Sequence, residues 1–248
     1  MDLKIKDVAQ LLNVSETTVR RWLKDGKIPA YQLNRQYRFS RGEIEDWMLK
    51  CKLNLSKDGF SPFEEKQIYP TPTSEDTGLG RGGTQQFSLY RAMHKGGAVI
   101  DIPSKNKKQL IQAVMQKSAS RLGLDPDVAV ELLLDREALM STALNFGIAV
   151  PHPRDIILEL PGSDAIITVF PEKPIDFGAM DGQPVHTLFF LFSSSDKTHL
   201  HLLSKLAHLA SQPESLTFLA SKPSLEVLLA YIKEWETKIR HQIYSTPK

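Results

Sequence analysis

Apolar positions recur at helical spacing over the first fifty residues. Val8, Leu11 and Leu12 define a short helix over 4–12, which the turn Asn13-Val14 ends. A second helix follows directly, with Ser15 placed as N-cap, Val14 and Val19 as a hydrophobic staple, and Val19, Trp22 and Leu23 on its buried face. Thr17, Thr18, Arg20, Arg21 and Lys24 fall outside that face, and Gly26 ends the helix. The runs 30–33 and 37–39 flank Asn34-Arg35-Gln36 as a small hairpin, and 40–43 reads as a capping box opening a third helix through Trp47.

The pattern then lapses. Residues 52–86 mix proline and glycine with Ser, Thr and charged side chains, which predicts a flexible linker. The glycines of 79–83 lack both a following Lys-Ser/Thr and a preceding apolar strand, so they do not form a phosphate loop. From Ser88 apolar positions return: a strand over 99–102, a helix over 107–120, and another over 127–135 capped by Asp125-Pro126. Ile148-Ala149-Val150, between Gly147 and Pro151, is too short for a helix and predicts a brief buried strand. The runs 165–170 and 187–192 are nearly continuously apolar, as in strands covered on both faces. A helix from Thr198 and a last one over 224–240, with Leu225, Leu228, Leu229, Ile232 and Trp235 at helical spacing, complete the chain. Strands interleaved with helices predict an α/β sandwich with a mixed sheet flanked by helices, behind a small winged helix-turn-helix domain.

Composition narrows the picture. A chain of 248 residues has room for one large domain or two modest ones, and no run approaches the roughly 18 apolar residues of a membrane span. The N-terminus lacks a signal peptide's apolar core, so the expected location is cytoplasmic. The single Cys51 can form no internal disulfide and, beside charged residues at a predicted helix end, receives no role. The net charge of +2 hides a split, because residues 1–50 carry ten Lys/Arg against seven Asp/Glu. Between Thr17 and Arg41 seven basic residues face only Asp25, which points to a polyanionic partner. A helix-turn-helix with a basic hairpin is the shape of a winged unit that sets its second helix in the major groove of double-stranded DNA and its wing on the backbone. Thr17, Thr18, Arg20, Arg21, Lys24, Arg35 and Arg38 are the candidate DNA contacts.

The chemical centre falls between Asp135 and Asp155. Pro151 and Pro153 bias their preceding residues toward extended geometry, so His152 stands at a strand end, fixed in direction and outside any helix. An imidazole so held can be a metal ligand, an acid or base, a nucleophile or a packed ring. Arg136 and Arg154 supply planar cationic donors and Ser141 and Thr142 supply hydroxyls, which favours phosphate, and no acidic cluster suggests a metal. Farther on, Leu202, Leu203, Leu206, Leu209 and Ala210 form one helical arc with His199 near its middle, which turns His199 inward. His201, Lys205 and His208 fall on the opposite side, and the two histidines there are expected to be solvated.

The stretch 135–155, with its Ala-Val-Pro-His run, resembles the phosphorylation segment of IIA domains of the phosphoenolpyruvate-dependent phosphotransferase system, in the fructose, mannitol and nitrogen-regulatory branch. The resemblance covers roughly 97–236 and implies a mixed sheet flanked by helices. It implies that His152 accepts a phosphoryl group from a histidine phosphocarrier protein, that Arg136 steadies it, and that His199 bonds it or orients His152. Arg154 is a further helper, and no cofactor or metal is called for. Asp181-Gly182-Gln183-Pro184-Val185 resembles the family's turn at that place, whereas Asn145 and Pro153 stand where the family usually has glycine or another small residue. Residues 3–50, through Val8-Ala9-Gln10-Leu11-Leu12, Thr18-Val19-Arg20-Arg21-Trp22 and Tyr37-Arg38-Phe39, resemble the excisionase and MerR-like winged helix.

Together these predict a winged helix over 1–51, a linker over 52–86, a IIA-like domain over 87–240 and a tail over 241–248. The function implied is a regulator whose phosphohistidine state is coupled to DNA binding. The alternatives are a sensor that binds its partner without being phosphorylated and a protein adaptor that docks an acidic partner through its basic stripe. A zinc hydrolase using His152, His199 and His201 is disfavoured, because the helical wheel sends the last two apart. Winged helices of this type often act as homodimers, yet no segment here reads as a dimer seam.

Overall fold

The computed structural model describes residues 2–12, 14–33, 36–52, 88–155, 157–158, 160 and 162–244. The expectations that fall on Asn13 (a turn), Arg35 (a DNA contact), residues 53–86 (a linker) and 245–248 (part of a tail) lie outside the described residues. The chain divides into two compact units, Met1–Gly83 and Thr84–Lys248.

In the first unit, β1 (Asp2–Leu3) leads into α1 (Ile5–Leu12) and α2 (Glu16–Lys24), then β2 (Tyr31–Leu33), β3 (Gln36–Ser40) and α3 (Arg41–Lys52). Ser15 caps α2, its hydroxyl oxygen accepting the Thr18 amide at 3.1 Å. Gly26 takes φ +64° just past the helix end, a conformation that favours glycine. β3 pairs antiparallel with both β2 and β1, with Leu33 opposite Gln36 and Leu3 opposite Phe39. The two-residue β1 was not anticipated, being too short to show a period. Val8, Leu12, Val19, Trp22, Ile28, Phe39, Ile44, Met48 and Cys51 are buried. The last two explain why α3 runs to Lys52 and not only to Trp47: its final turns carry core residues. Cys51 is part of that core, and burial pushes its thiol up to about 11.

The second unit starts with α4 (Leu89–Gly96), followed by β4 (Ala98–Ile102), α5 (Lys107–Ser118), a 3₁₀ turn over Ala119–Leu122, and α6 (Pro126–Leu139). Then come β5 (Ile148–Ala149), β6 (Ala165–Pro171), β7 (Thr187–Phe192), α7 (Asp196–Ala210), α8 (Pro213–Ala220) and α9 (Leu225–Tyr244). The strands form a four-stranded sheet in the order β4-β6-β7-β5. β4 runs parallel to β6 and β5 parallel to β7, while β6 and β7 are antiparallel, so the sheet is mixed as expected. Every residue of β6 and β7 is buried, as their continuous apolar runs require. Ile167, Val169, Leu188, Phe190 and Phe192 pack with Leu110, Val114 and Met115 of α5 and Ala129 and Leu133 of α6. The alternate side chains face the layer of α4, α7 and α9.

Two details fix that second layer. Gly96 lies on the backbone of β6, where a Cβ would fall inside the Ile166 carbonyl, so α4 approaches the strand with no side chain between them. Glu236 of α9 accepts the Ser88 hydroxyl at 2.7 Å, the Leu89 amide at 2.8 Å and the Lys205 ammonium at 2.8 Å, joining α4, α7 and α9 through one carboxylate. Burial opposes its charge, but Lys205 and these donors prevail and hold its pKa below the usual glutamate value. Neither α4 nor α8 was anticipated from the residue pattern.

Candidate functional site

His152 follows β5 on a chain supported from both sides. Toward the core, β5 pairs with the start of β7, with Ile148 opposite Thr187 and Ala149 opposite Leu188, and the Leu191 amide reaches the Pro151 carbonyl at 2.9 Å. On the other side, the Val150 amide donates to the Thr142 carbonyl at 3.0 Å and the Leu144 amide to the Ile148 carbonyl at 2.8 Å. Residues 142–144 and 148–150 thus close a tight hairpin. Its turn needs left-handed backbone at Phe146 (φ +65°) and Gly147 (φ +73°), and the Phe146 amide is anchored by Asp181 Oδ2 at 2.7 Å. Asn145 is buried beside this turn, and Pro153 is buried after the histidine.

The His152 ring is 2 % exposed, and its Nδ1 lies 2.7 Å from the Val150 carbonyl oxygen. A carbonyl only accepts, so in the neutral imidazole the proton sits on Nδ1 and the lone pair on Nε2. His199, in the first turn of α7 behind the Ser195 N-cap, is equally buried. Its ring meets His152 edge to face with centroids 4.9 Å apart, and its Nδ1 lies 3.1 Å from Ser193 Oγ. Two residues 47 positions apart in sequence thereby converge at one point of the fold.

Arg136 is 5 % exposed in the last turn of α6, and its guanidinium donates to the Met140 carbonyl at 2.9 Å. Ser141 donates to the Phe177 carbonyl at 2.7 Å and accepts the Ala143 amide at 3.1 Å. Thr142 gives both its hydroxyl and its amide to Glu137 Oε1, the amide at 3.0 Å. Both hydroxyls proposed as phosphate donors are therefore bonded to the protein's own acceptors. Arg154 is exposed.

The other histidines differ from expectation. His201 and His208 are half-buried, not solvated. The ring of His208 packs 5.6 Å from that of Trp235 on α9, with Gln212 Nε2 3.1 Å from its Nε2. Burial lowers the pKa of His201 to about 4, with Lys197 and Lys205 acting in the same direction. The face of α7 read as solvent-exposed carries Lys205, which pairs with the buried Glu236, so α9 covers part of it. A single helical wheel cannot show that a second helix packs over its polar side. His186 was missed altogether: it packs against Gly147 at the hairpin turn, its Nδ1 is 2.9 Å from Thr187 Oγ1, and burial lowers its pKa. Glu137 was missed too, although Ala129, Leu133, Arg136 and Glu137 share the buried face of α6 at helical spacing and the pattern could have found it.

In the first unit Thr17, Arg20, Arg21 and Lys24 of α2 are exposed, while Thr18 and Arg38 are half-buried. The Thr18 hydroxyl lies 2.8 Å from Ser15 Oγ, Arg20 approaches Glu16 at 3.7 Å, and Arg38 donates to Gln36 Oε1 at 2.8 Å. α2 thus presents one exposed basic face.

Known proteins give this geometry its place. The family model for the phosphoenolpyruvate-dependent sugar phosphotransferase system, EIIA 2, matches residues 93–235, and a helix-turn-helix domain model matches 3–52. The nitrogen regulatory protein of Bradyrhizobium diazoefficiens is 37 % identical over 108 residues, 42 % of this chain and 67 % of that protein. That of Escherichia coli is 41 % identical over 106 residues, 42 % of this chain and 63 % of that protein, so the match spans just under two thirds of its length. The crystal structure of nitrogen regulatory protein IIA-Ntr from Neisseria meningitidis superposes with a TM-score of 0.50 at 28 % identity, covering 59 % of this chain and 97 % of that one. With two histidines converged beside a mixed sheet, and with the match extending over more than half its length, the chain belongs to the phosphoenolpyruvate-dependent sugar phosphotransferase system EIIA 2 family, joined to a helix-turn-helix domain.

Proposed function

We propose that His152 accepts a phosphoryl group from a histidine phosphocarrier protein, and that this state is coupled to DNA binding by the helix-turn-helix domain. The observation that carries the reading is the Nδ1 bond to the Val150 carbonyl, which leaves the Nε2 lone pair as the nucleophile at a histidine pair. Nε2 forms the new bond to phosphorus as the bond from phosphorus to the donor's imidazole breaks, and the donor nitrogen takes back the electron pair. The His152 ring becomes cationic in that step, and the Val150 carbonyl already accepts from the N–H that carries part of the charge. Charge on the transferring group calls for cationic donors, a role for which Arg136 is the candidate, with Arg154 as a helper and His199 bonding the phosphoryl oxygens or orienting the acceptor ring.

The helix-turn-helix domain supports a regulatory role, and the exposed cations of α2 suit a duplex backbone. Among the described residues no helix is long and apolar enough to cross a membrane. The test is intact-mass spectrometry of the chain and its His152→Ala variant after incubation with phosphoenolpyruvate, the general phosphotransferase enzyme and the phosphocarrier. A gain of about 80 Da, one phosphoryl group, in the unmodified sequence alone supports the acceptor role. No gain while a control IIA domain is labelled in the same tube overturns it. Duplex-DNA binding measured with and without the phosphoryl group then tests the coupling.

A further inference from the structure

We propose that Glu137 is a positioning residue for His152, setting its tautomer from two hydrogen-bonded segments away; this rests on the phosphoryl-acceptor reading of that histidine. The side chain of Glu137 is 3 % exposed, and a carboxylate buried so deeply needs strong partners. It has three: Lys107 Nζ at 3.0 Å, the Thr142 amide at 3.0 Å and the Thr142 hydroxyl. Lys107 is itself held, its ammonium 5.1 Å above the centre of the Phe177 ring and 3.4 Å from the Phe177 carbonyl. The ion pair thus grips both donors of one loop residue from a fixed point.

That residue leads to the reactive ring. The Thr142 carbonyl accepts the Val150 amide at 3.0 Å, and the Val150 carbonyl lies 2.7 Å from His152 Nδ1. Carboxylate, loop, strand and imidazole form one hydrogen-bonded series. It matters because β5 is only two residues long and has few rungs of its own to hold Val150 in place. The same helix turn also carries Arg136, whose guanidinium holds the Met140 carbonyl at the start of the same loop. Loosening Glu137 therefore lets Thr142 and Val150 drift, weakens the preference for the Nδ1–H form and lowers the share of rings that present the Nε2 lone pair.

The test uses the full chain and its Glu137→Gln and Thr142→Val variants. Proton–nitrogen NMR of ¹⁵N-histidine-labelled protein reads the His152 tautomer with no donor present, and steady-state transfer from the phosphorylated phosphocarrier reads rate and affinity. Glu137→Gln is expected to turn a single Nδ1–H tautomer into a mixture and to lower kcat about ten-fold or more with KM changed by less than about two-fold. Thr142→Val, which removes one bond and leaves the ion pair intact, is expected to do the same to a lesser degree, about two- to five-fold. A folded Glu137→Gln protein that keeps the original tautomer, or whose kcat is unchanged, overturns the proposal. Should that variant not fold, Thr142→Val decides by the same two readings. If the unmodified sequence takes no phosphoryl group, the acceptor reading fails by itself, and the tautomer spectra still decide whether Glu137 positions the ring.

Discussion

At His152 the Val150 carbonyl, 2.7 Å from Nδ1, places the proton of the neutral ring on that nitrogen and the lone pair on Nε2, the atom proposed above as the acceptor. His199 differs, because its Nδ1 faces a hydroxyl that can donate or accept, so its tautomer can follow its neighbour's charge. Replacing His199 by alanine should therefore lower the transfer rate by roughly 10²–10³-fold, the usual scale for one lost stabilising donor, while mass spectrometry still finds the phosphoryl group on His152 at long times. His201 makes a prediction in pH. Its folded pKa of about 4 lies below the ordinary 6.5, so the unfolded chain binds the extra proton. Its contribution is complete above pH 6.5 and is lost as pH falls from there toward 4. A thermal-melt series should show the unmodified sequence losing more Tm across that window than His201→Gln, and equal slopes would refute the assignment.

At the scale of elements, α4 meets β6 backbone to backbone at Gly96, and the Glu236 carboxylate of α9 also holds the N-terminal end of α4. Gly96→Ala places a methyl group against the backbone of β6, where no rotamer can relieve it, and overpacking of this kind costs roughly 1–3 kcal/mol. Denaturant unfolding of the second unit should shift by that amount with an unchanged m value. The same element shows where the residue pattern stopped being informative. The long apolar runs of β6 and β7 and the spaced leucines of α7 and α9 were legible because burial on known faces leaves a period. α4 carries only a short period, Leu89, Ala92 and Met93, because at its close approach to β6 the position in the next turn is Gly96, which has no side chain to extend it. Of the site, His152 and His199 could be read from prolines and helix phase. Val150, Ser193 and Glu137 act through a backbone carbonyl, a loop hydroxyl and a buried charge, and their roles depend on partners distant in sequence.

For the molecule as a whole, the basic excess resides in one unit and the histidine pair in the other, so the two proposed activities can be measured separately in one chain. Duplex binding should weaken steeply with salt, the logarithm of affinity falling by roughly 0.9 per phosphate engaged for each decade of salt. Arg21→Ala should lower that slope by about one, on any sequence, in a fluorescence-anisotropy titration, and a slope unchanged by the substitution would remove Arg21 from the interface. The second unit also limits how a signal can leave His152. β6 and β7 are packed on both faces, so a slip of one residue would turn every side chain of either strand to the wrong side. Such a sheet is a chassis and not a moving part. Under the proposed phosphohistidine coupling, any message must travel over the rim, through hairpin turns and helix ends, and that is where a partner would have to listen.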